Sequence, residues 1–159
     1  MKILDRLFEP AEEINGGERC PTYLYRWTLA KGSDWSVYLH HFVADDWSRD
    51  LHDHPKRFIS IGLWGWYVEE TPCGENNNCE PRGDESWDSW TRKKIYRAPW
   101  IRSFPAEHVH RLTVPSRNCW TLVIVCKRVR DWGFWHGGLF IPWRKYVDSD
   151  IADKMKGCD

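Results

Sequence analysis

The chain has 159 residues and a mass of 19.0 kDa, the size of one domain with enough length for a real core. Its Lys+Arg total of 23 cancels its Asp+Glu total of 23, which removes any electrostatic case for a nucleic-acid or anionic-membrane partner. No apolar run approaches the roughly 18 residues of a membrane span, and Met1-Lys2-Ile3-Leu4-Asp5-Arg6 lacks the apolar core of a signal peptide. A cytoplasmic location is therefore expected. Twelve tryptophans and 15% aromatic residues favour strands and large packed surfaces, with an aromatic-lined ligand pocket or interface as a second use.

In chain order, Ile3, Leu4, Leu7 and Phe8 have helical spacing and predict a short N-terminal helix packed on a sheet. Pro10 and Gly16-Gly17 punctuate. Thr22 to Leu29 reads as a strand that ends at Lys31-Gly32-Ser33-Asp34. Trp35 to Val43 reads as the next one, with Trp35, Val37, Leu39, His41 and Val43 on one face and Tyr38, His40 and Phe42 on the other. After a turn at Asp45-Asp46 come Leu51-His52-Asp53-His54-Pro55 and a long strand from Phe58 through Tyr67. Glu70 to Trp90 is polar and rich in Gly, Asn and Pro, a long loop of the sort that carries function or moves. Lys94 to Arg97 and Trp100 to Phe104 read as short strands around Pro99, then Leu112 to Val114 and a turn at Pro115 to Asn118. Cys119 to Cys126 is apolar enough to be a strand buried on both faces. Asp131 to Trp135 and Leu139 to Trp143 are shorter extended pieces, and Asp148 to Met155 suits a closing helix. Many short strands, turn signals about every ten residues and no repeat or linker point to a single all-β domain, a sandwich or barrel.

The six cysteines, Cys20, Cys73, Cys79, Cys119, Cys126 and Cys158, contain no C-x-x-C pair, which argues against a zinc ribbon. Cys73 and Cys79 flank a polar loop and are spaced for a bridge, but without a signal peptide the thiols are expected to be reduced.

Two stretches carry chemistry. His52-Asp53-His54 and Glu107-His108-Val109-His110 each place two imidazoles at i, i+2, on one face of a strand. Imidazole is a common neutral ligand for zinc, iron and copper. The chain reads as built to bring these segments together.

The order of elements and the two histidine pairs resemble the cupin family. Its first motif runs His-x-His, a short spacer, Glu, a further spacer and Gly. Here His52, His54 and Gly65 fit, while the glutamate is absent, its candidate positions being Phe58 and Ile59. The second motif, Pro-x-Gly-x-x-His, is similar to Pro105-Ala106-Glu107-His108-Val109-His110, with Glu107 in place of the glycine. The resemblance covers roughly residues 20 to 135. The wider pattern also resembles a small cupin group of bacteria and phages with a His-Asp-His-Pro motif. It implies a cupin-type double-stranded β-helix, a jelly roll holding a metal at its mouth. The ligands it implies are His52, His54 and His110, with His108 as an extra imidazole able to stand in for the missing carboxylate. A neutral three-histidine site leaves positions open for a Lewis-acid or oxygen-binding ion. Fe(II) is expected first, with Zn(II), Ni(II) or Mn(II) as alternatives. The 2-oxoglutarate oxygenase triad does not fit, because His54 stands where its carboxylate belongs.

Around these ligands, Arg57, Arg102 and Arg111 alternate with apolar neighbours, and Arg57 and Arg102 are candidate contacts for an anionic substrate group. Tyr67 is a candidate pocket residue, and Glu107 a candidate general base or partner of a ligand. Three functions follow as expectations: a three-histidine Fe(II) dioxygenase-like enzyme, a non-catalytic small-molecule or protein-binding barrel with a structural metal, and a sugar-nucleotide epimerase using His41 with Asp45 or Asp46. A small-molecule ligand is expected in each, and edge strands with exposed tryptophans suggest a homodimer.

Overall fold

The computed structural model describes residues 11–15, 20–48, 50–73, 80–81 and 90–147. Its strands, in order, are β1 (Glu12–Ile14), β2 (Leu24–Lys31), β3 (Ser36–Phe42), β4 (Leu51–His52), β5 (Lys56–Trp64), β6 (Trp66–Pro72), β7 (Glu80–Pro81), β8 (Trp90–Arg97), β9 (Trp100–Phe104), β10 (Arg111–Thr113), β11 (Cys119–Arg128), β12 (Gly133–His136) and β13 (Leu139–Pro142). One short helix, α1 (Trp143–Val147), follows them. The helices expected near Lys2 to Phe8 and Asp148 to Met155 lie outside the described residues.

All pairings are antiparallel. The largest sheet has the order β1-β2-β3-β11-β5-β9, a second has β10-β6-β8-β7, and a third has β13-β12-β4. This is the cupin-type double-stranded β-helix. The main core, Leu24, Phe42, Tyr67, Leu112, Val114 and Cys119, lies between the first two sheets. A second cluster, Phe134 with Tyr146 and partly buried Trp47 and Trp132, packs α1 against β12. There the Tyr146 hydroxyl donates to Asp50 Oδ2 at 2.8 Å, so a fully buried phenol keeps its hydrogen bond.

Three expectations are corrected. The run from Phe58 to Tyr67 is not one strand: it breaks at Gly65, where φ is +77°, and passes from the six-stranded to the four-stranded sheet. A Cβ there would collide with the Asn118 carbonyl, so both the turn and the close approach require glycine. Strand β11 is not buried on both faces. Cys119, Thr121 and Val123 are buried, whereas Trp120, Leu122 and Ile124 are only half covered and Cys126 is exposed. Cys20 and Cys73 are each disulfide-bonded, where reduced thiols were expected. Cys79 lies outside the described residues.

The outer face of the large sheet is apolar across several strands. Register places Leu39 opposite Leu122, Leu122 opposite Ile61 and Ile61 opposite Ile101. At its β5–β9 end Leu63, Trp64 and Ile101 are 50, 66 and 75% exposed.

Candidate metal centre

Backbone pairing brings the two histidine segments together. The His52 amide donates to the His110 carbonyl and the His110 amide donates to the His52 carbonyl, each at 2.9 Å. The His54 amide donates to the Ala106 carbonyl at 3.0 Å, fixing the second imidazole beside the Pro105 turn. Only His52 lies in a strand; His54 follows the end of β4, yet both line the same cavity. Between them Asp53 is fully buried and turns away. Its carboxylate accepts from the Gly133 amide at 2.9 Å and from Arg130 Nη1 at 2.7 Å, latching the segment to β12.

The ligand atoms of His52, His54 and His110 lie within 4.8 Å of one another. His54 Nε2 and His110 Nε2 are 2.9 Å apart. The cavity beside them has a volume of about 400 Å³ and is walled mainly by apolar and aromatic side chains, among them Phe58, Phe104, Leu112 and Trp132. Phe58, one of the two positions considered for the cupin glutamate, puts its ring 4.7 Å from His54 and stacks on Phe104 at 4.6 Å. Ile59, the other, faces outward.

A carboxylate does stand behind the site, Glu69 on β6, a residue that the sequence pattern did not single out. Its Oε1 accepts from His108 Nε2 and His110 Nδ1, both at 2.9 Å, and its Oε2 accepts from Arg102 Nη2 at 2.6 Å. Burial pushes this carboxyl up, but the hydrogen bonds from His108, His110 and Arg102 outweigh it and hold Glu69 well below the usual carboxylate range. Glu69, His108 and His110 form a second cluster of possible donors, but Glu69 already accepts three hydrogen bonds and neither it nor His108 lines the cavity. With Nδ1–H given to Glu69, His110 turns the Nε2 lone pair toward His54. A carboxylate behind a ligating histidine fixes tautomer and ring orientation. The nearest signal for Glu69 in the sequence is its i, i+2 relation to Tyr67, which puts both on one strand face.

Burial, reinforced by neighbouring imidazoles and cations, lowers the pKa of His52 and of His54 well below the ordinary histidine value. Both are neutral at pH 7, the form in which imidazole binds metal. Three converging imidazoles, two of them kept neutral by burial, fit a divalent transition ion.

Among the other expected residues, Tyr67 is buried, lines the cavity and accepts from Arg102 Nη1 at 3.1 Å. Arg102 stands behind Glu69 and over the rings of Tyr96 and Phe104. Arg57 and Glu107 are exposed and away from the cavity lining. Arg111 sits 3.7 Å from Glu70. His41 is on the outer face, stacked on Trp120 at 4.0 Å, while Asp45 and Asp46 accept the Val114 and Leu112 amides. The His41–Asp pair is therefore not in the barrel.

Fold and site together define a double-stranded β-helix protein with a three-histidine cluster on its cavity wall. Among solved structures it is similar to the polyketide cyclase RemF from Streptomyces resistomycificus, at 14% identity and TM-score 0.56 over 94% of each chain. It is also similar to an uncharacterized conserved double-stranded β-helix protein from Klebsiella pneumoniae, at 12% identity and TM-score 0.51 over 84% of this chain and 94% of that one. FeII HppE matches at 8% identity and TM-score 0.50 over 72% of this chain and 56% of that one. No protein-family model and no curated protein matches the sequence. Among the described residues no helix is long and apolar enough to cross a membrane.

Proposed function

We propose that this chain is a metal-dependent enzyme of the dioxygenase kind. It holds a divalent ion, Fe(II) first, on His52, His54 and His110 and acts on a small, mainly apolar molecule in the adjoining cavity. The observation that carries this reading is the convergence of three imidazoles on the wall of an aromatic cavity, with Phe58 where a carboxylate would complete the set. The ion would supply open positions for oxygen and substrate. The chain's own residues do the rest. Glu69 holds the proton at Nδ1 of His110, so that Nε2 stays a donor to metal. Burial keeps His52 and His54 unprotonated. Phe58, Phe104 and Trp132 exclude water and pack on the apolar body of the substrate, with Tyr67 as a further contact. Arg102 acts through Glu69 rather than on substrate.

FeII HppE is an iron-bearing neighbour in this fold. A second reading is redox-neutral chemistry in the same cavity, favoured by the match to the polyketide cyclase RemF over 94% of both chains. Zinc, nickel or manganese would serve there, and a purely structural ion would leave a binding barrel.

Elemental analysis of tag-free protein beside His52→Ala and His110→Ala, followed by oxygen-uptake assays with aromatic acids and thiols, tests the reading. Near-stoichiometric iron, lost in both variants and accompanied by uptake, is expected. Zinc without uptake selects the redox-neutral reading, and unchanged metal content in both variants defeats the ligand assignment.

A further inference from the structure

The cavity has a second polar corner that the histidine centre does not use. Antiparallel register sets Arg26 opposite His40 and His40 opposite Thr121, so that three neighbouring strands, β2, β3 and β11, present one polar row to the interior. All three residues line the cavity, as does Ser60, which lies opposite Val123 one step along the sheet. Across an otherwise apolar wall such a row needs an explanation, because buried polar groups are costly unless they are paired.

Thr121 is not paired. The residue is 1% exposed, and its Oγ1 is buried with no hydrogen-bond partner. An orphaned hydroxyl on a cavity wall is a position held for a ligand atom. Arg26 stands two strands over in the same row, with His40 between them. Its Nε–H donates to His40 Nε2 at 3.2 Å, its guanidinium lies 5.0 Å over the Tyr38 ring, and Nη1 reaches Glu12 only at 3.7 Å. Because His40 Nε2 accepts, the neutral ring carries its proton on Nδ1 and is itself a donor. The charges agree with the donors. Arg26 and Lys56 are the cations of the lining, and the one carboxylate, Asp46, is buried and already accepts the Leu112 amide.

We propose that Arg26, His40 and Thr121 form an anion subsite that takes the carboxylate of a small aromatic or other apolar acid. The carboxylate oxygens accept from the guanidinium and from Thr121 Oγ1–H, and the apolar body extends along the Phe42, Phe58 and Phe104 wall toward the histidines. This deepens the functional reading and rests on the cavity being the substrate pocket. It does not rest on which metal is bound.

The test is a fluorescence or calorimetric titration of the purified protein with 3-phenylpropanoate and with its uncharged amide, with metal content measured in parallel for every variant. The acid should bind at least tenfold tighter than the amide. Arg26→Met should reduce acid binding at least tenfold and abolish that preference, while leaving amide binding and metal content unchanged. Thr121→Val should weaken the acid severalfold without lowering the Tm of the ligand-free protein, since the hydroxyl it removes has no partner; this variant keeps the test valid if Arg26→Met folds poorly. Equal binding of acid and amide, retained preference in Arg26→Met, or no binding of either would overturn the subsite. Failure of the metal reading shows separately, in the elemental analysis.

Discussion

Oε1 of Glu69 lies 2.9 Å from Nδ1 of His110, joining a carboxylate on β6 to a histidine at the threshold of β10. Residues that are 41 apart in the chain thus set one tautomer. Glu69→Gln keeps the shape and removes the charge, leaving the Arg102 guanidinium beside it without its counter-ion. We expect metal affinity to fall about 10- to 100-fold and the metal-free protein to lose about 3 kcal/mol, the scale for breaking a buried pair. Competition with a chelator and denaturant unfolding measure the two effects.

Phe58→Glu should restore a carboxylate to the cupin pattern beside His54. Without metal the buried carboxyl should cost at least about 2 kcal/mol; with Mn(II) or Fe(II) bound, affinity should rise tenfold or more as a fourth donor joins. Thermal unfolding should show a smaller fall in Tm with added ion than without it. An equal fall in both conditions would mean that Phe58 does not face the ion.

Cys119 and Cys126 should differ sharply in reactivity. Cys126 is exposed, whereas burial pushes the Cys119 thiol up to about 12. The thiolate is the nucleophile. Iodoacetamide at pH 8 should therefore label Cys126 and spare Cys119 until the protein is unfolded. In the folded protein any Cys119 labelling should keep rising with pH through the alkaline range. Peptide mapping reads both sites, with the disulfide-bonded Cys20 and Cys73 unlabelled.

A second copy of this chain is the partner we propose for the outer face of the large sheet. The row Leu39, Leu122, Ile61 and Ile101 is apolar from strand to strand, and zero formal net charge removes long-range repulsion between copies. Light scattering should give twice 19.0 kDa for the wild type. Ile101→Lys, at a residue 75% exposed in the single chain, should shift it toward the monomer by at least tenfold in Kd with Tm little changed. A wild-type monomer at high concentration would rule the interface out.

Much of this was legible because strands advertise themselves by alternation. The faces assigned to Trp35 to Val43 are those observed, with His40 and Phe42 inward and His41 outward. The two histidine segments do meet, but His54 lies past the end of β4 and His108 stays off the cavity wall, so strand alternation alone does not account for the cluster. What could not be read was long-range. Glu69 follows a strand break at Gly65, and its role depends on pairing with β10, where Leu112 stands opposite it. Asp53 looked like a spacer between ligands, yet its partners, Gly133 and Arg130, arrive from a distant segment. Arg57 and Arg102 looked equivalent in sequence; their places on β5 and β9 separate them, one outward and one behind Glu69. Alternation tells which residues share a face, but not which face will meet a cavity.

The reciprocal backbone pair between His52 and His110 makes the site a seam as much as a pocket. One side of it is sewn to the C-terminal sheet through Phe134 and Tyr146, the other to the four-stranded sheet through Glu69. An ion bound across it would act as a rivet, so that the two sheets come apart together when it is present and in sequence when it is withdrawn. Damage at Tyr146, far along the chain from His52, His54 and His110, would then register first as a leaking metal.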